Sequence, residues 1–97
     1  MALVFDGFEW DAGNKVKCQK HGVLIDEIQA VLSGNPIVRE DPLHSAQESR
    51  FRAIGRNHEG RTVFIVFTFR HSGNMVFVRP ISARYMHSKE LRSYERD

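Results

Sequence analysis

Arg79 breaks an apolar alternation, Phe77-Arg79-Ile81, and Arg84, Tyr85 and His87 follow it closely. A charge on an apolar face needs a partner. Either a carboxylate such as Glu9 or Asp11 pairs with Arg79, or the guanidinium is held for an anion. These residue types suffice to cut an RNA phosphodiester without a metal. The ribose 2′-oxygen attacks its own phosphate once a base takes its proton. A cation steadies the phosphorane, and an acid protonates the leaving 5′-oxygen. Arginine suits the middle role because it stays charged and aims several donors at phosphate oxygens. Histidine exchanges its proton nearest neutrality, which suits His87 to one of the outer roles. Tyr85 can stack on a base or move a proton. Arg79, Arg84, Tyr85 and His87 are therefore the candidate catalytic residues. The plainer alternatives are a strand-end charge for Arg84, a core aromatic for Tyr85 and a lone surface histidine for His87.

A second set could bind the polymer. Arg50, Arg52 and Arg56 alternate with Phe51 and Ala53, which puts the arginines on one strand face. They form either a track for an RNA backbone or a charged guard on an edge strand. Arg70 is added to the track. Lys20 and His21 stand at a helix end, where the dipole favours a cation; His21 could contact phosphate, act as the acid or cap the helix. His44, His58 and His71 fall in loops with no partner pattern. No pair has metal-ligand spacing, and the single Cys18 makes neither a disulfide nor a zinc site. No metal or cofactor is expected.

The charge distribution supports a polyanion partner. Residues 1–49 hold eight acids and four bases, whereas residues 50–87 hold seven arginines against Glu59 alone. Guanidinium grips phosphate and stacks on bases, so an all-arginine block suits RNA. The 97 residues read as a single domain, 1–97. There is no membrane-length apolar run and no signal-like N-terminus, so a cytoplasmic protein is expected.

The elements that must position these residues follow from periodicity. Residues 3–10 read as a first strand. Asp11 is a helix N-cap, and Gly22 can close that helix in the left-handed region. Leu24, Ile25, Ile28, Val31 and Leu32 fall at helical spacing, and Ser33-Gly34-Asn35-Pro36 stops the second helix. A short extended piece lies around Ile37-Val38. Three strands follow over residues 50–56, 62–70 and 75–82, turned at Asn57-His58-Glu59-Gly60 and Ser72-Gly73-Asn74. Pro80 should lie near a strand end or on an unpaired side. A short helix closes the chain over residues 87–95. The order β-α-α-β-β-β-α predicts an α+β fold. Its antiparallel sheet has about four strands, two N-terminal helices on one face and arginines on an open second face.

Two blocks carry a family resemblance. The first is Phe8-Glu9-Trp10-Asp11 with Lys20-His21-Gly22-Val23. The second starts at Glu48-Ser49-Arg50-Phe51-Arg52-Ala53-Ile54-Gly55-Arg56. It ends at Arg79-Pro80-Ile81-Ser82-Ala83-Arg84 and the helix of Glu90 and Tyr94. In order and spacing the chain resembles the BrnT toxins. Lys17 departs from the pattern, standing where that family commonly has asparagine. The resemblance implies a RelE-like fold and a ribonuclease toxin that cleaves RNA and inhibits translation and growth. It also implies a cognate BrnA-like antitoxin with a ribbon-helix-helix part, through which alone operator DNA would be met. The Arg79–Tyr85 spacing is similar to the arginine and tyrosine of RelE-type toxins. The competing reading is a non-catalytic basic module that binds RNA or protein. A DNA-binding regulator fits least, because there is no helix-turn-helix pattern.

Overall fold

The computed structural model describes residues 2–42 and 48–95; His44 lies outside them. Its elements are β1 (Gly7–Phe8), α1 (Ala12–Gln19), α2 (Ile25–Ser33), β2 (Ile37–Glu40), β3 (Phe51–Arg56), β4 (Thr62–Ser72), β5 (Met75–Tyr85) and α3 (Ser88–Glu95).

Asp11 caps α1 as its residue type demands. Its Oδ1 accepts the Asn14 amide at 3.0 Å, and the Asn14 Oδ1 accepts the Asp11 amide at 2.7 Å. Gly22 follows at φ +87°, a conformation that costs glycine little. In α2, Ile28, Val31 and Leu32 are buried on one stripe. They pack with Ala53, Val63, Ile65, Phe67 and Val78 from the sheet and with Cys18 from α1. The two hairpins turn as their glycines predict, with Gly60 and Gly73 at positive φ.

The sheet has five strands in the order β1-β5-β4-β3-β2. The four-strand antiparallel expectation is corrected in two ways. The piece around Ile37 is a full strand, pairing Ile37 to Glu40 with Ile54 to Phe51. The first strand runs parallel to the last, Gly7 opposite Phe77 and Phe8 opposite Val78. Hairpin turns announce antiparallel neighbours, whereas a parallel partner is distant in sequence and no local signal marks it.

A β-bulge fixes the geometry that matters for function. Val66 pairs with Ser82 but Phe67 pairs with Pro80, so Ile81 is an extra residue on β5. Five residues apart, Arg79 and Arg84 would face opposite ways on a regular strand. The bulge puts both on the face of Thr68 and Phe64, their cross-strand partners. Pro80 sits inside β5 rather than at its end. Its carbonyl accepts from Asn14 Nδ2 at 2.9 Å. That edge lies beyond the end of β1, so no ladder N–H is missed.

The arginine face is not left open as expected, because α3 packs on it. Its Tyr94 ring lies 6.3 Å from that of Phe64, its Glu90 pairs with Arg84, and the Tyr94 hydroxyl meets Arg52. No residue of α3 is buried, so burial alone does not dictate where this helix docks.

Candidate active site and nucleic-acid interface

Arg79 from β5, Arg70 from β4 and Arg50, just before β3, converge. Arg79 lies opposite Thr68 on β5, and Arg70 stands two residues beyond Thr68 on the same face of β4. Arg50 precedes β3, where the Thr68 hydroxyl donates to the Ser49 carbonyl at 2.7 Å. Helix α1 closes the fourth side. Asn14, buried by this contact, donates from Nδ2 to both the Glu9 and Pro80 carbonyls, and this docking turns Lys17 toward the strands. Lys17, Arg50, Arg70 and Arg79 thus line one groove together with a single carboxylate, Glu48.

Arg79 has carboxylate partners, and it also reaches the groove. Its guanidinium pairs with Glu9 at 3.1 Å and Asp11 at 2.9 Å. The Asn14 backbone N–H holds the Asp11 carboxyl below its ordinary pKa against the opposing effect of burial, and Arg79 adds to the lowering. Arg70 holds Glu48 at 3.4 Å.

The other three catalytic candidates lie at the far end of β5. Arg84 makes a two-pronged pair with Glu90, at 3.2 and 3.0 Å, and lies over the Phe64 ring. The Arg84 guanidinium is the main cause holding Glu90 below its ordinary pKa. Tyr85 faces the opposite side of the sheet, toward α2. Its hydroxyl lies 2.9 Å from both Glu27 oxygens, and the Arg61 guanidinium sits 3.5 Å from its ring centre. Burial first, then the Glu27 carboxylate, raise its pKa, so a phenolate base is disfavoured there. His87 is exposed, its backbone N–H donating to Glu90 at 3.4 Å. The structure therefore does not gather Arg79, Arg84, Tyr85 and His87 around one point.

The arginine stripe divides as well. Arg52 is bound to Asp41 at 3.2 Å and to the Tyr94 hydroxyl at 3.0 Å, with only 3% of the Asp41 side chain exposed. Arg56 is exposed at the end of β3. Lys20 and His21 are exposed beyond the last turn of α1 and do not line the groove. Sequence reasoning missed Lys17 and Glu48. The available signal was that Gly13 and Lys17, one helical turn apart, share a face of α1. Nothing local showed that this face meets β5. Among the described residues, no three His, Cys, Asp or Glu side chains come together to hold a metal ion. No helix among them is long and apolar enough to cross a membrane.

The fold is a small α+β domain in which four cationic side chains and one carboxylate line a single groove, a lining that favours anions. Comparison with known families is specific. The model of BrnT, the ribonuclease toxin of type II toxin–antitoxin systems, matches residues 10–90. The chain belongs to the BrnT family. No curated protein matches it.

Proposed function

We propose that the chain is a metal-independent endoribonuclease of RelE-like fold that arrests translation and growth until its antitoxin covers the cationic groove. The observation that carries this reading is the convergence of Lys17, Arg50, Arg70 and Arg79 on one groove in a family of ribonuclease toxins. A scissile phosphate held there meets several cations, which stabilise the charge of the phosphorane. Glu48 is the one carboxylate of the groove, and it takes the proton of the attacking 2′-hydroxyl. The Lys17 ammonium protonates the leaving 5′-oxygen. Arg84 and His87 steady the flanking RNA at the other end of β5, while Tyr85, on the opposite face, is held by Glu27. The antitoxin is proposed to be a BrnA-like ribbon-helix-helix protein with an acidic segment for this face.

The test is cleavage of single-stranded RNA by purified protein in excess chelator. The expected products carry a 2′,3′-cyclic phosphate on one fragment and a 5′-hydroxyl on the other, because the attacking oxygen is internal. Activity that requires added divalent metal, or products with 5′-phosphates, would overturn the mechanism. Induced expression with and without the antitoxin, followed by growth and RNA integrity, tests the biological half.

A further inference from the structure

A second groove lies at the hairpin end of the sheet, where Arg56, Arg61, Met86 and Ser88 line its walls and no carboxylate does. Elsewhere on the sheet Arg52, Arg70, Arg79 and Arg84 each hold a carboxylate, whereas Arg56 holds no ion pair among the described residues. Arg61 is positioned rather than loose. Its guanidinium rests on the Tyr85 ring at 3.5 Å, and Glu27 fixes the Tyr85 hydroxyl. Glu27 is itself fixed by Asn57 Nδ2 at 2.8 Å. Stacking holds the flat face of Arg61 and leaves its edge donors free for phosphate oxygens.

We infer that this groove is a second phosphate-binding subsite, in which Arg56 and Arg61 each bind a backbone phosphate of the same RNA strand that the Lys17 groove holds. The inference rests on the proposed RNA-cleaving role of that first groove. Arg50 belongs to the first groove and Arg56 to the second, and the six residue steps from one to the other span about 20 Å. That distance exceeds one internucleotide step, so the preferred substrate is an extended single strand of several nucleotides. The strand passes α3 on the way, where Lys89 and Arg92 are exposed.

The experiment uses the full chain and non-cleavable 2′-O-methyl oligoribonucleotides in two lengths, one filling only the first groove and one long enough for both. Binding is followed by fluorescence anisotropy across a salt series. Each single-strand phosphate contact contributes about 0.7 to the slope of log affinity against log salt. The Arg56→Gln, Arg61→Gln variant is expected to lose about 1.4 of slope on the long strand and nothing on the short one. Arg56→Gln alone disturbs no ion pair among the described residues and is expected to lose about 0.7. An unchanged slope on the long strand in both variants would overturn the inference. So would displacement of the long strand by stoichiometric inorganic phosphate, or a loss of antitoxin binding without loss of RNA binding. Failure of the first reading is separate: Lys17→Gln, Arg70→Gln would then bind the short strand as wild type does.

Discussion

Arg79→Ala is the perturbation that best separates chemistry from architecture. Its side chain is 18% exposed, and it bridges Glu9 and Asp11 while lining the cationic groove. Glu9 is 40% and Asp11 56% exposed, so water can replace the guanidinium at both when it is removed. Two partly screened pairs of this kind are together worth about 0.5–1 kcal/mol. In a domain this small that lowers the melting temperature by roughly 2–8 °C. Removing a donor to a developing phosphorane costs far more in rate, about 10²–10³-fold. The assay is single-turnover cleavage of RNA at a temperature where circular dichroism shows wild type and variant equally folded. Antitoxin binding serves as the check on the surface. Arg79→Lys, which keeps a charge but cannot span the pair and the phosphate together, should fall between. Wild-type cleavage by folded Arg79→Ala would refute the assignment. A rate deficit that disappears on cooling, in step with recovery of the fold, would make Arg79 purely structural.

Gly55→Ala should destabilise the domain by about 1–3 kcal/mol, because the added methyl meets Val31 Cγ1 at 2.9 Å in the core, where β-branched Val31 has little room to turn; thermal melting measures it. Glu27 is pushed up by burial but held net below its ordinary pKa by Asn57, Tyr85 and the Leu24 amide. A depressed folded pKa means stability present above the ordinary carboxylate range and lost as pH falls through it, so Glu27→Gln should flatten the acid side of a melting-temperature profile; an unchanged profile would count against this. The Cys18 thiol is fully buried, and burial raises its pKa to about 11, so iodoacetamide should leave it intact at neutral pH until the protein is unfolded.

Local signals in the sequence were read well because their causes are local. The Asp11 cap, the α2 stripe and the glycine turns at Gly60 and Gly73 each follow from a few adjacent residues. The alternation of Phe51 and Ala53 against Arg50 and Arg52 placed the arginines on the right face. What escaped depends on long-range pairing. The parallel partner of β1, the docking of α1 on β5 and the seat of α3 join residues far apart in the chain. The bulge at Ile81 escaped for a related reason, since an extra residue shows only against the partner strand. The candidate site was therefore half legible. Arg50, Arg70 and Arg79 were singled out separately, but Lys17 and Glu48 join them only through tertiary contacts.

The carboxylates beside the arginines decide which of these cations an RNA strand can reach. Glu48, the partner of Arg70, is 37% exposed, and a pair this open is worth only about 0–1 kcal/mol. A phosphate can displace Glu48 at little cost, and displacement frees the carboxylate to act as a base beside the bound strand. Glu90 is equally exposed, so Arg84 can be exchanged to phosphate in the same way, loosening one tether of α3. Arg52 differs. Its partner Asp41 is 3% exposed, and removing the guanidinium would take a cation from a buried carboxylate, which costs more than breaking an exposed pair. No phosphate contact at the surface recovers that much. Arg52 therefore belongs to the scaffold that joins β3, Asp41 and α3. On the proposed reading, the RNA-facing part of the stripe is the remainder, with Arg50 and Arg56 at its two ends.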